Sequence, residues 1–169
     1  MVKKFDVHEN HCQGAAFLSI TGLIRKGITT WEDAKMAADY KVDAVWVSNH
    51  GGRQLDTCPS SLDALHEIVD VLRPSYPEIA ILFDSGIMRG TDVFKALAIG
   101  ADLCFIGRAS LWGLAYDGQK GVEFALQLLA DELKTTMGLA GVRNLAEIRR
   151  SHLGFIKPGG GIQSLEDRQ

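Results

Sequence analysis

From Leu23 onward, the chain alternates short apolar runs with amphipathic segments. The runs 45–47 (VWV) and 79–83 (IAILF) are almost continuously hydrophobic, which is typical of strands covered on both faces. Each run is followed by a polar or glycine-containing corner, and then by a segment with apolar residues at helical spacing. Strands that alternate with helices in this way predict βα units around a parallel sheet.

Four such units can be identified. Their strand and helix segments are LIRKGI with TTWEDAKMAADY, DAVWVSNH with SSLDALHEIVDVL, IAILFDSGI with TDVFKALAIG, and DLCFIGRA with a long segment ending in KTTMGL. Thr30, Ser61 and Thr91 are predicted N-caps, and Gly100 is predicted to end the third helix. The predicted fold class is therefore α/β, with four parallel βα units. This is half of a (β/α)8 barrel, which typically needs about 250 residues.

Two segments fall outside the repeat and define the predicted domain limits. Residues 1–22 show no clear period, and we predict an irregular N-terminal segment there. The repeat predicts one half-barrel domain over residues 23–155. The tail over residues 156–169 is rich in glycine and polar residues and is predicted to be flexible.

Composition and charge narrow the classes of function. The chain has 169 residues, of which 46% are hydrophobic and 23% charged, as is ordinary for a globular domain. A net charge of -3 gives no electrostatic case for a nucleic-acid or membrane partner, and no apolar run is long enough to span a bilayer. We therefore expect a small-molecule ligand rather than either of these partners.

The cysteines and the N-terminal histidines add two further expectations. Three widely spaced cysteines indicate free thiols in a reducing compartment, so a cytoplasmic location is expected. His8, His11 and Cys12 are near one another in sequence, but two histidines and one thiol in an irregular segment are too few for a metal centre. We predict no metal site.

The corner after the second predicted strand carries an imidazole and a guanidinium together. The sequence SNHGGR places His50 and Arg53 three residues apart on a Gly-Gly turn. An imidazole can take a proton near neutral pH, and the planar guanidinium fork suits a carboxylate. Because the carboxyl ends of barrel strands hold the active site, we predict that both side chains face one small ligand. This hypothesis is favoured over a structural histidine and a surface arginine.

The corners after the last two strands are predicted to bind a phosphate. The sequence DSG at 84–86 and the pair Gly107 and Arg108 give two glycine-containing corners and a cation. Such corners let backbone N–H groups approach an anion, and the loops after the last two strands are the usual phosphate site of barrels. Lys26, at the end of the first strand, either faces the same ligand or is solvated, and its sequence context leaves both open.

Together these motifs resemble the FMN-dependent 2-hydroxy acid oxidases and dehydrogenases, which include glycolate oxidase, lactate oxidase and the flavin domain of flavocytochrome b2. The resemblance rests on KGI…EDA, VSNHGGRQLD, DSGI-RGTDVFKALAIGAD and IGRA, and extends from the region of Lys26 to that of His152. It implies the C-terminal half of a (β/α)8 barrel with FMN at the carboxyl ends of the strands. It also implies oxidation of a small 2-hydroxy acid, lactate- or glycolate-like, to the 2-oxo acid.

The resemblance further implies roles for individual residues. His50 is similar to the base that takes a proton from the substrate and contacts the cofactor, and Arg53 to the anchor of the substrate carboxylate. Lys26 matches a lysine beside the flavin pyrimidine ring, and Ser48 a flavin contact. The implied ribityl and phosphate site comprises Asp84, Ser85, Gly86, Ile87, Met88, Arg89, Gly107 and Arg108. The family usually has arginine at the position of Met88.

Two alternatives stay open at this point. The chain could be a truncated, catalytically inactive fragment that retains the FMN-site motifs, because only four barrel units are present. It could also be a phosphate-binding barrel of another class with a structural His50, which the string SNHGGRQLD disfavours. Four units leave two open sheet edges and an uncovered face, so we also expect a homo-oligomer formed through the open half-barrel face.

Overall fold

A computed structural model describes residues 22–156 and 159–165 of the chain. Over these ranges, a parallel sheet with its helices is followed by short helical turns and a hairpin. The strands of the sheet are β1 (Ile24–Ile28), β2 (Ala44–Val47), β3 (Ala80–Phe83) and β4 (Leu103–Cys104), and the α-helices are α1 (Trp31–Asp39), α2 (Ser61–Ser75), α3 (Gly90–Ile99) and α4 (Arg108–Leu139). The 3-10 turns are His50–Gly52, Leu145–Glu147 and Arg150–His152, and the hairpin strands are β5 (Gly154–Ile156) and β6 (Ile162–Ser164).

The parallel sheet has the strand order β1-β2-β3-β4, so each strand pairs with the next one along the chain. Val45 lies opposite both Arg25 and Ile81 in the register. A sequential parallel order is that of a barrel wall, whereas a doubly wound sheet reverses its order at a switch point. The prediction of an α/β fold with four parallel βα units of a (β/α)8 barrel is confirmed.

The helices cover one face of the sheet and form the main core there. Alternate residues of β2 and β3 point toward this layer, because successive side chains of a strand point to opposite faces. The least exposed large side chains of the chain come from these strands and from α2: Phe83, Leu65, Ile68, Leu72, Ile81, Leu82, Val45 and Val47. The corners at the carboxyl ends of β2 and β3 are therefore carried by a rigid, packed scaffold.

The predicted helix starts are correct at one position and wrong at two. Thr30 caps α1, where its Oγ1 accepts a backbone N–H at 3.3 Å. The N-cap of α2 is Ser60 rather than Ser61, and α3 begins at Gly90 rather than after a cap at Thr91. Ser61 instead turns its hydroxyl to the corner after β2, a tertiary contact that local sequence does not reveal. Gly100 ends α3 as predicted.

Residues 162–164 of the predicted tail form one strand of a hairpin, and the flexibility of the tail stays a prediction. β5 and β6 pair as antiparallel strands, and Leu165 is 7% exposed and belongs to the main core. The three glycines at 159–161 have φ values of 91° to 95°, a conformation that glycine adopts at little cost and that reverses the chain. The predicted N-terminal segment over residues 1–22 lies almost wholly outside the described residues.

α4 spans 32 residues but is not one continuous rod. Asp117 and Gly118 have non-helical backbone angles, and the helix bends there. Gly113 and Gly121 meet across the bend, where a Cβ on Gly113 would lie 2.4 Å from the carbonyl oxygen of Gly121. Within the described ranges, no helix is both long enough and apolar enough to cross a membrane.

Candidate active site

The carboxyl ends of β1, β2 and β3 bring a lysine, a serine and an aspartate into contact. Lys26 Nζ lies 2.9 Å from Ser48 Oγ and 3.3 Å from Asp84 Oδ2. The Ser48 hydroxyl, on a residue that is 2% exposed, donates to Asp84 Oδ1. The side chains of Lys26 and Asp84 are 40% and 18% exposed, so the pair is open toward solvent on its lysine side. The structure thus joins three of the predicted site residues.

The corner after β2 holds a histidine in a left-handed backbone conformation. His50, Gly51 and Gly52 have φ values of 58°, 67° and 71°. Glycine adopts such angles at little cost, whereas an L-residue such as histidine is strained by about 1–2 kcal/mol. Four consecutive N–H groups stabilise the corner by donating to side-chain oxygens: Asn49 to Ser61 Oγ (2.9 Å), His50 to Ser48 Oγ (3.1 Å), Gly51 to Ser85 Oγ (2.9 Å) and Gly52 to Asn49 Oδ1 (3.1 Å).

His50 and Arg53 line one cavity, and their facing a common ligand stays a prediction. Its volume is about 440 Å³, and Lys26, Asp84 and Arg108 also line it. Among the described residues, neither the imidazole of His50 nor the guanidinium of Arg53 has a hydrogen-bond or ion-pair partner. A base and a carboxylate-binding group are therefore both available to a ligand in this cavity.

The glycine corners of the predicted phosphate site leave open space beside the backbone. A Cβ built on Gly86 or on Gly107 would meet no heavy atom within 4 Å. Arg108 begins α4 and donates from Nη2 to the carbonyl oxygen of Gly51 at 3.1 Å. The N-cap of α4 makes no side-chain hydrogen bond to the first turn, so that turn can offer its N–H groups and its dipole to an anion.

Two of the predicted cofactor residues do not line this cavity. Ser48 is not among the lining residues, and its hydroxyl accepts a hydrogen bond from Lys26 and donates one to Asp84. Arg89 is the N-cap of α3, and its backbone N–H donates to the Asp92 carboxylate at 3.0 Å, next to the N–H of Met88 at 3.1 Å. These two amides are consequently engaged within the protein. The remaining predicted residues all line the cavity: Lys26, His50, Arg53, Asp84, Ser85, Gly86, Ile87, Met88, Gly107 and Arg108.

The cavity wall contains an aromatic pair that the sequence did not reveal. Trp46 and Phe105 stack with ring centroids 4.3 Å apart, and Lys26 Nζ lies 5.1 Å from the Trp46 ring centroid. Trp46 precedes Ser48 by two positions in the same chain segment, which puts both side chains on one face of the sheet. That alternation was the available signal, because it places Trp46 on the same face of the sheet as Ser48, a predicted cofactor contact.

Other reactive groups do not extend the site. Burial raises the pKa of the Cys104 thiol to about 12, which keeps it protonated and unreactive. Among residues 22–156 and 159–165, no group of three or more His, Cys, Asp or Glu side chains is arranged to hold a metal ion. The histidines and cysteine weighed as metal ligands, His8, His11 and Cys12, lie outside these ranges.

Comparison with known proteins places this site in a family context. The profile of the FMN-dependent dehydrogenases matches residues 19–155. Glycolate oxidase 3 from Arabidopsis thaliana is 49% identical over 137 residues, which are 80% of this chain and 36% of that protein. 2-Hydroxyacid oxidase 2 from Bos taurus is 48% identical over 143 residues, 83% of this chain and 40% of that protein.

A solved structure shows the same similarity in three dimensions. A mutant flavocytochrome b2 with pyruvate bound superposes with a TM-score of 0.72 and 38% identity, over 75% of this chain and 32% of that chain. The chain thus spans 40% or less of the length of each of these three proteins.

Proposed function

This chain belongs to the FMN-dependent dehydrogenase family, and on that premise we propose that it forms part of an enzyme that oxidises a 2-hydroxy acid to a 2-oxo acid with FMN. The observation that supports the proposal is that His50 and Arg53 share one cavity with Lys26 and Arg108. The relatives named for glycolate and for 2-hydroxy acids, and the neighbour with bound pyruvate, support this substrate class. Within it, a small lactate- or glycolate-like acid fits a cavity of about 440 Å³.

The residues present fit FMN at its phosphate end and beside its ring. Gly86 and Gly107 leave space where side chains would otherwise stand, and Arg108 adds a cation at the start of α4. A phosphate suits this set, because guanidinium groups and free N–H groups at a helix start both bind anions. Lys26 and the apolar surface of Trp46 are the groups we assign to the ring, with Ser48 and Asp84 holding Lys26 in place.

Arg53 and His50 act on the substrate in this proposal. The Arg53 guanidinium binds the substrate carboxylate and so orients the carbon that bears the hydroxyl group. The imidazole of His50, which has no hydrogen-bond or ion-pair partner in the described part of the chain, takes one proton from the substrate. FMN, when bound, would accept the two electrons and one of the two protons that the C–H and O–H bonds lose, and the other proton leaves through His50. The product is then the 2-oxo acid, and His50 releases its proton to solvent.

Anaerobic mixing of the FMN-loaded chain with lactate or glycolate tests this function. We expect the flavin absorbance near the visible maximum to bleach, and we expect His50→Gln to keep the bound flavin but lose the bleaching. If the wild-type chain holds FMN but neither acid bleaches it, the result contradicts the proposal. That outcome would favour the alternative of a catalytically inactive fragment with preserved FMN-site motifs.

The assembly and the compartment are proposals of the same kind. Within the described residues, β1 and β4 are edge strands with one unpaired side each, and such edges favour association with further strands. We propose that copies of the chain associate through this open side, which sedimentation equilibrium would test. A monomer at all concentrations would contradict it. The free thiols of Cys58 and Cys104 support a reducing, cytosolic location.

A further inference from the structure

Ser85 combines a left-handed backbone with a hydroxyl group that makes two hydrogen bonds. Its φ is 79°, a conformation that residues other than glycine rarely adopt. Its Oγ donates to Asp84 Oδ1 at 2.7 Å and accepts the N–H of Gly51 at 2.9 Å. The hydroxyl therefore connects the corner after β3 with the strained turn after β2.

This connection differs from the other hydrogen bonds that hold the turn. The N–H groups of Asn49, His50 and Gly52 donate to oxygens from the start of α2, from Ser48 directly before the turn, and from the turn itself. Among these four acceptors, only Ser85 belongs to the corner after β3. Ser85 therefore links the turn to the Asp84 carboxylate at Gly51, in addition to the link at His50 through the Ser48 hydroxyl, which donates to the same carboxylate.

We propose that Ser85 is a positioning residue for His50. Its hydroxyl, oriented by Asp84, holds Gly51 and thereby the adjoining His50 in place in the cavity that Lys26 and Asp84 also line. The catalytic consequence rests on the proposed function, whereas the positional consequence does not. A glycine at position 85 would adopt the observed φ without strain. The chain instead carries the backbone cost of a serine, which is expected where a strained residue serves a site.

Two variants of Ser85 separate the hydroxyl group from the backbone strain. Ser85→Ala removes the hydroxyl and keeps the strained Cβ, whereas Ser85→Gly removes both. Ser85→Gly should therefore melt about 2–8 °C above Ser85→Ala. Thr135→Ala is the control, because it also removes a hydroxyl that is hydrogen-bonded to the backbone: that hydroxyl donates to the Asp131 carbonyl oxygen on the exposed part of α4, away from the turn.

Amide hydrogen exchange of Gly51, measured by NMR on the chain without flavin, tests the position directly. Loss of one hydrogen bond should speed exchange at Gly51 by about two- to tenfold in both Ser85 variants, and not in Thr135→Ala. If Ser85 affected only the overall stability, the exchange rate at Gly51 would follow the melting temperature of each variant. The Gly51 amide would then exchange more slowly in Ser85→Gly than in Ser85→Ala. Equal loss in the two variants supports the proposal, and unchanged protection of Gly51 overturns it.

Flavin reduction tests the catalytic consequence. In the FMN-loaded chain, with FMN kept at a saturating concentration, both variants should reduce the rate constant of bleaching by the 2-hydroxy acid by about two- to tenfold. An unchanged rate constant would refute the catalytic part. If the wild-type chain is not bleached by any 2-hydroxy acid, the proposed function fails, and the exchange of Gly51 then decides alone whether Ser85 positions the turn.

Discussion

Replacing Gly51 by alanine should destabilise the protein more than replacing the adjacent Gly52. Both residues have left-handed φ values, 67° and 71°. An alanine at either position therefore costs about 1–2 kcal/mol of backbone strain. The surroundings differ, because a Cβ on Gly51 would lie 2.8 Å from Nη2 of Arg108, whereas a Cβ on Gly52 would meet nothing within 4 Å.

The difference between the two variants measures the contact with Arg108. The side chain of Arg108 can move aside, but it then loses its 3.1 Å hydrogen bond to the Gly51 carbonyl oxygen. Because Arg108 is exposed, we take about 0.5–1.5 kcal/mol for that bond. At about 2–4 °C per kcal/mol for a chain of this size, Gly51→Ala should melt about 1–6 °C below Gly52→Ala.

Thermal unfolding followed by circular dichroism, with both variants in the same buffer, gives this comparison. The shared backbone strain cancels between the variants, so the difference reports on the Arg108 contact alone. Equal melting temperatures would refute the assignment of that contact. A lower melting temperature for Gly52→Ala would refute the account of the turn itself.

Three further predictions concern other parts of the chain. Met88 is 63% exposed and lines the cavity. In a fluorescence titration, the Met88→Arg variant should bind FMN about tenfold more tightly than the wild type and riboflavin with unchanged affinity. A hydrogen bond donated by Tyr76 lowers the pKa of Asp39, so the ionised carboxylate stabilises the fold above the ordinary aspartate pKa range. This contribution is lost as the pH falls through the lowered pKa. Urea unfolding at decreasing pH should therefore show a smaller loss of stability in Asp39→Asn than in the wild type. At pH 8, iodoacetamide should label Cys58 but not Cys104 in the folded protein by mass spectrometry, because burial raises the pKa of Cys104 to about 12.

Local sequence predicted the strands and the corners of the site because each is encoded over a few residues. The apolar run before Ser48 and the polar string after it determine where β2 ends. The carboxyl ends of parallel strands meet at one edge, so His50, Arg53 and Asp84 could be placed together without coordinates. Their roles toward a ligand stay predictions.

The features that sequence analysis did not predict depend on contacts between distant segments. Ser61 was assigned as a helix cap, but its hydroxyl accepts the N–H of Asn49, so Ser60 caps α2 instead. The hydrogen bond between Gly51 and Ser85 joins residues 34 positions apart. The burial of Leu165 likewise depends on a hairpin whose docking no local pattern reveals. Such contacts follow from the packed fold and not from the composition of either segment.

The visible absorption spectrum of the purified chain, after incubation with FMN and then desalting, tests the central claim most directly. We expect the flavin band to remain with FMN and to be lost with riboflavin, because Gly86, Gly107 and Arg108 are assigned to the phosphate. A colourless protein after FMN incubation would contradict the claim that these residues form a flavin site in this chain.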